Sequence, residues 1–152
     1  MNIVLVEPEI PPNTGNIARL CAATGCTLHL VGPLGFSLED RYLRRAGLDY
    51  WEHVQLRTHD SLRSFLTELG PARRFCFSAK AKRSYTEVVY QWGDYLVFGP
   101  ETRGLPKELL LEWEADALRI PIFGPVRSLN LSSAVAVVVY EAIRQRDVAT
   151  LE

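Results

Sequence analysis

Between Ile120 and Glu141 the chain changes character twice. Leu118 to Ile120 read as the end of a strand, and Pro121, Gly124 and Pro125 then forbid either a regular helix or a central strand. Ser128, Asn130, Ser132 and Ser133 follow where a helix leaves its first N–H groups without partners. Their side chains can cap that helix or hold a ligand, two uses that compete for the same atoms. From Ala134 to Ile143 the pattern is apolar on nearly every side, which calls for a helix buried on more than one face. An ordinary core helix satisfies it. So does a helix packed between its own sheet and a second copy of the chain, the simplest solution in so short a protein, and a homodimer interface is predicted here.

With 152 residues and 47% hydrophobic content, one domain over residues 1–152 is expected, able to bury roughly two-thirds of its unfolded surface. Cys21, Cys26 and Cys76 are odd in number and form no C-x-x-C pair. With no histidine at zinc-ligand spacing either, they read as idle thiols in a reducing cytoplasm, and no metal is expected. The N-terminal Met-Asn-Ile-Val-Leu-Val-Glu lacks a basic leader, and its apolar run is too short to span or target a membrane, so a cytoplasmic protein is expected. A net charge of −1 supplies no bulk attraction for nucleic acid, so contact with RNA must rest on local clusters.

Strand and helix signals alternate along the chain. Asn2 to Val6 is a continuous β-branched run, the mark of a strand covered on both faces. Residues 7–16 carry too much proline, glycine and asparagine for regular structure, and a helix is predicted from Ile17, capped by Asn13 or Thr14 and closed by Gly25. A strand over residues 27–31 completes a parallel unit. Ser37 and Asp40 resemble a capping box for a helix to about Ala46, closed by Gly47. A strand over 53–57, a helix capped by Asp60 and ending at Leu69-Gly70, and a strand over 74–78 come next. After a polar excursion over 79–91, a strand over 95–98 and a short helix from Lys107 complete the alternation. The expected class is α/β, a mostly parallel sheet flanked by helices.

In such sheets ligands gather beyond the carboxyl ends of the strands, where the loops 7–16, 99–106 and 120–132 belong. Four residues separate Gly99 from Gly104, but Leu105-Pro106 stands where a phosphate-binding loop needs Lys-Ser/Thr, and no G-x-G-x-x-G follows a strand. ATP and NAD are therefore disfavoured. What remains is a pocket of backbone amides and carbonyls, walled by Phe98 and Ile120 with Glu101 as a negative charge, suited to a heteroaromatic cofactor with a cationic part. His29 lies mid-strand while His53 and His59 flank another strand, remote from Ser128 and Ser132, which argues against an acyl-transfer triad. Arg19 follows the first loop and is either a solvated arginine or a cation aimed into the pocket. Basic and aromatic residues recur together: Arg41, Tyr42, Arg44, Arg45, Tyr50 and Trp51, then Lys80, Lys82, Arg83 and Tyr85. Each group reads as a solvated face or as phosphate contacts with base stacking on single-stranded RNA.

Three ordered stretches sharpen this reading: Asn13-Thr14-Gly15-Asn16-Ile17-Ala18-Arg19, Leu96-Val97-Phe98-Gly99-Pro100-Glu101-Thr102-Arg103-Gly104-Leu105-Pro106, and Ile120-Pro121 through Arg127-Ser128-Leu129-Asn130-Leu131-Ser132. In sequence and spacing they resemble the motifs of the SPOUT-class RNA 2′-O-methyltransferases. Resemblance to the small members that act on the wobble nucleotide covers almost the whole chain, including residues 7–12 and 43–50. It implies S-adenosylmethionine as methyl donor, a homodimer, and a deep trefoil knot formed by the C-terminal chain. It also implies transfer to the ribose of the wobble cytidine or uridine in the anticodon stem-loop of tRNA, with leucine tRNAs as expected substrates. Another tRNA or ribosomal RNA nucleotide, or a knotted RNA-binding dimer without catalysis, are the alternatives. By position, Gly99, Ile120, Ser128 and Leu129 are expected at the cofactor, largely through backbone groups. Phe77 falls at a further cofactor position where an aliphatic residue is more usual. Arg19 corresponds to the catalytic arginine. A guanidinium keeps its protons, so Arg19 is expected to stabilise the forming alkoxide or the adjacent phosphate, with water or a nearby carboxylate taking the proton. Glu101 is assigned to orienting the site or balancing the sulfonium charge, and Asn130 and Ser132 to fixing the loop. Alignment of oxygen, methyl carbon and sulfur can itself supply about 7–11 kcal/mol.

Overall fold

The computed structural model describes residues 1–47 and 50–146. Leu48 and Asp49, part of one stretch that carries the resemblance, lie outside the described residues, as do positions 147–152 of the expected domain. In chain order the elements are β1 (Asn2–Val6), α1 (Pro11–Thr24), β2 (Thr27–Val31), α2 (Arg41–Gly47), a 3-10 turn (Trp51–His53), β3 (Gln55–His59) and α3 (Leu62–Leu69). They continue with β4 (Arg74–Phe77), β5 (Arg83–Ser84), β6 (Tyr95–Phe98), α4 (Lys107–Glu112), a second 3-10 turn (Glu114–Asp116), β7 (Ala117–Arg119) and α5 (Leu131–Gln145). The strands form one sheet in the order β3-β2-β1-β6-β4-β7-β5, and every pairing is parallel.

Side chains along β1 alternate between two cores. Ile3 and Leu5 join the cluster that contains Ile17 of α1 and Val135, Val138 and Val139 of α5, whereas Val4 and Val6 join Phe65 of α3 and Leu109 of α4. Cover on both faces is why the strand reads as an unbroken apolar run. Among the described residues one stripe of α5 is covered: Val135, Val138 and Val139 are fully buried, while Val137 is 38% and Tyr140 54% exposed. All three cysteines are free and buried. Burial pushes the Cys76 thiol up to about 11 and raises Cys21 and Cys26 as well, so none is a poised thiolate.

Several helix starts differ from expectation, each for a local reason. α1 begins at Pro11 rather than Ile17, because proline lacks only an N–H that the first turn cannot use. Asn13 and Thr14 consequently sit inside the helix, buried, instead of capping it. Its other end is as expected, with Gly25 left-handed (φ 74°) and its N–H bonded to the Cys21 carbonyl. α2 starts at Arg41, not Ser37: Asp40 accepts from the Leu43 N–H at 3.3 Å, whereas Ser37 Oγ accepts from Glu39 within its own turn. Ser61 and Ser64 cap α3 reciprocally where Asp60 was expected. Residues 51–53 form a 3-10 turn, which moves β3 two places on to an edge of the sheet. The excursion 79–91 contributes β5, paired to β7 at the opposite edge.

Candidate active site

Sheet order places β6, β4 and β7 side by side, so their carboxyl ends form one rim. Phe77 is the last residue of β4, Gly99 follows β6 and Ile120 follows β7. Three residues expected at the cofactor thus meet through strand register. The Phe77 ring stacks on buried Phe98 with centroids 4.6 Å apart and planes within 8°. Ile120 is half-buried against the core, and Ser128 and Leu129 lie exposed in the loop that leads to α5. Gly99 is dictated by close approach of backbone. A Cβ there would overlap the Leu105 nitrogen and the Gly104 carbonyl carbon and would sit 2.9 Å from the Gly104 Cα. Gly104 turns the chain at φ 69° and donates to the Pro100 carbonyl at 2.9 Å, so the loop folds tightly on itself.

That loop is latched to the segment after β1. Glu101 accepts from the Glu9 N–H through Oε2 at 2.8 Å and from the Ile10 N–H through Oε1 at 3.3 Å. In return the Glu9 carboxylate accepts from the Thr102 N–H at 3.2 Å and from the Thr102 hydroxyl at 2.7 Å. These Thr102 bonds hold the Glu9 carboxyl below its ordinary range. Arg103 reaches Glu7 at 3.8 Å, and Glu7 itself adopts a left-handed φ of 47°. Glu101 is therefore engaged with the backbone of Glu9 and Ile10, just before α1.

Asn130 joins the remaining loop. Its Oδ1 accepts from the Ser132 N–H at 2.9 Å, the Ser132 hydroxyl at 2.6 Å and the Ser133 N–H at 3.4 Å, which caps α5. Its Nδ2 donates to Oδ1 of buried Asn13 at 2.9 Å, tying the start of α5 to the start of α1. The competition between capping and ligand holding is resolved toward capping for Asn130 and for the Ser132 hydroxyl proton. Arg19 is exposed on α1, and its guanidinium lies 4.8 Å from the centroid of the Tyr50 ring.

The basic clusters differ in their surroundings. Arg44 donates to the Leu38 carbonyl at 2.9 Å, pairs with Glu39 at 3.0 Å and lies over Trp51, so it braces its own segment. Arg83 donates to the Glu87 carbonyl at 3.2 Å. Lys80 and Lys82 are exposed in the loop beyond β4, next to the rim. Sequence reasoning missed Glu9 and Thr102 and read Asn13 as a cap; no spacing signal joins residues 93 positions apart. Among the described residues no group of three or more His, Cys, Asp and Glu side chains could hold a metal ion, and no helix is long and apolar enough to cross a membrane.

The profile of the SpoU rRNA methylase family matches residues 1–140. This chain belongs to the SpoU methylase family. Among SpoU relatives, a tRNA (cytidine(34)-2'-O)-methyltransferase of Saccharophagus degradans is 57% identical over 145 residues, covering 95% of this chain and 94% of its own. A structure solved to explain 2-OH methylation of C/U34 on tRNA is 56% identical, with a TM-score of 0.91 over 95% of this chain and 94% of that one. The SpoU methyltransferase AviRb of Streptomyces viridochromogenes, solved in complex with the cofactor AdoMet, shares the fold at 21% identity and a TM-score of 0.85, over 96% of this chain and 60% of its own.

Proposed function

We propose that this SpoU chain transfers a methyl group from S-adenosylmethionine to the ribose 2′-hydroxyl of nucleotide 34, a cytidine or uridine, in the anticodon stem-loop of tRNA, with leucine tRNAs among its substrates. The observation that carries this reading is the rim formed by the ends of β4, β6 and β7, whose Gly99 loop has no room for a side chain, in a chain 57% identical to an enzyme of that name.

The residues present fit the cofactor. Close-packed backbone at Gly99 and the exposed polar loop at Ser128 and Leu129 offer amides and carbonyls to a heteroaromatic ring system, with Ile120 and Phe77 as apolar walls. When bound, S-adenosylmethionine supplies an electrophilic methyl group and a neutral thioether leaving group. Arg19 faces the charge that develops on the ribose oxygen, or the phosphate beside it, while water or a nearby carboxylate takes the hydroxyl proton. Glu101, Asn130 and Ser132 hold α1 against the two cofactor loops, so that oxygen and methyl carbon are aligned before reaction. One domain acting as a homodimer in the cytoplasm, with the C-terminal chain threaded through an earlier loop as in the family it resembles, completes the proposal.

The test is mass spectrometry of ribose-methylated nucleosides, with position-resolved digestion, on tRNA from cells lacking the gene before and after adding protein and S-adenosylmethionine. A methyl group gained at nucleotide 34 by wild type, and gained far more slowly with Arg19→Ala, is the expected result. Methylation only of ribosomal RNA, or of another tRNA position, would overturn the substrate assignment.

A further inference from the structure

Arg19 makes no hydrogen bond or ion pair with any described residue; its partner is the face of Tyr50, 4.8 Å away. An aromatic face restrains a guanidinium differently from a carboxylate. It attracts the cation through the ring quadrupole, yet it neither neutralises the charge nor occupies the N–H donors. The planar fork of Arg19 is thus held in place while its donors stay available to an anionic oxygen.

Tyr50 is itself held on a fixed platform. It is half-buried, and its carbonyl accepts from the His53 N–H at 2.9 Å, which closes the 3-10 turn behind it. Its neighbour Trp51 packs on the main core, under the guanidinium of Arg44, which the Leu38 carbonyl and Glu39 anchor in turn. Leu38, Glu39, Arg44 and Trp51 therefore brace the 3-10 turn from which Tyr50 meets the arginine. We infer that Tyr50 is a positioning residue for methyl transfer, keeping the Arg19 guanidinium aimed and uncompensated until RNA arrives. This rests on the reading that Arg19 acts on the reacting oxygen or its phosphate.

Single-turnover methyl transfer to tRNA at saturating S-adenosylmethionine, measured for a double-mutant cycle of Tyr50→Leu and Arg19→Ala with Tyr50→Phe alongside, tests it. Tyr50→Leu is expected to slow transfer by about two- to fivefold, with the melting temperature and cofactor affinity retained, and Tyr50→Phe, which keeps the ring, to recover most of the rate. In the Arg19→Ala background Tyr50→Leu is expected to have no further effect, because its influence passes through the arginine. Equal slowing in both backgrounds, or a rise only in the KM for tRNA, would mean that the ring acts elsewhere, for instance as a stacking surface for a base, and the inference falls while the arginine reading stands. Wild-type turnover by Arg19→Ala alone would remove the arginine reading, and this inference with it.

Discussion

Both carboxylate oxygens of Glu101 receive backbone N–H groups, Oε2 from Glu9 and Oε1 from Ile10. Glu101→Gln keeps the shape but turns one acceptor into a donor facing an N–H, and in this half-buried setting the mismatch costs about 1 kcal/mol. The expected outcome is lower stability in urea and a lower kcat, with the pH–rate profile keeping its shape; loss of a limb from that profile would make Glu101 a proton acceptor instead. Asn130 shows a similar division of labour, Oδ1 on α5 and Nδ2 on Asn13. Its place at the helix start was readable from residue type and position, since only a few side chains cap well. Asn13 as its partner was not readable, because 117 positions separate them in the chain.

Helices and loops obey mostly local rules, and there the sequence was a good guide with identifiable failures. β1, β2 and β6 fall where their apolar runs lie. The start of α1 moved because proline fits a first turn, and those of α2 and α3 because candidate caps stood close together, Ser37 and Asp40 before one helix and Asp60 and Ser61 before the other. The Gly99 loop was recognised by its glycines, and the overlap that a Cβ would make with Leu105 and Gly104 supplies the reason. Gly99→Ala is therefore expected to push the loop outward, weakening S-adenosylmethionine binding about tenfold or more and lowering stability by about 1–3 kcal/mol. Calorimetric titration and thermal melts would measure the two effects separately. Unaltered cofactor affinity would place the cofactor away from this loop.

Across the molecule, one edge of the sheet is joined by a polar chain that takes no part in the proposed reaction. His29 of β2 lies 3.0 Å from Asn2 Oδ1 through Nε2 and 3.0 Å from His59 Nε2 through Nδ1, and His59 Nδ1 lies 3.1 Å from Glu68 of α3. Burial, followed by the neighbouring His59 and Arg57, lowers His29 to about 4, so it stays neutral while an unfolded histidine near 6.5 takes up a proton. The unfolded chain then binds more protons, and stability is expected to fall as pH drops from 6.5 toward 4, by up to about 3 kcal/mol. Urea titrations between pH 6.5 and 5 lie above the range of the lowered carboxyls of Glu9 and Glu141, and the His29 contribution is the part of the slope that His29→Phe is expected to remove, leaving that of the lowered Met1 ammonium.

The proposed homodimer is tested on the open stripe of α5. Val137 and Tyr140 remain exposed beside a fully buried stripe, which supports a second copy of the chain as their cover. Val137→Lys is expected to shift sedimentation from dimer toward monomer while leaving the fold intact. A wild-type chain that sediments as a monomer would refute the dimer.

Residue pattern alone was enough for the α/β alternation, the positions of the main strands, the three loops and the absence of phosphate-binding signatures, since each depends on residues a few places apart. Strand order, the rim that unites Phe77, Gly99 and Ile120, and the latches between Glu101 and Glu9 and between Asn130 and Asn13 came only with the folded chain. Contacts between distant residues set those features, and their energies leave no local period or spacing to read.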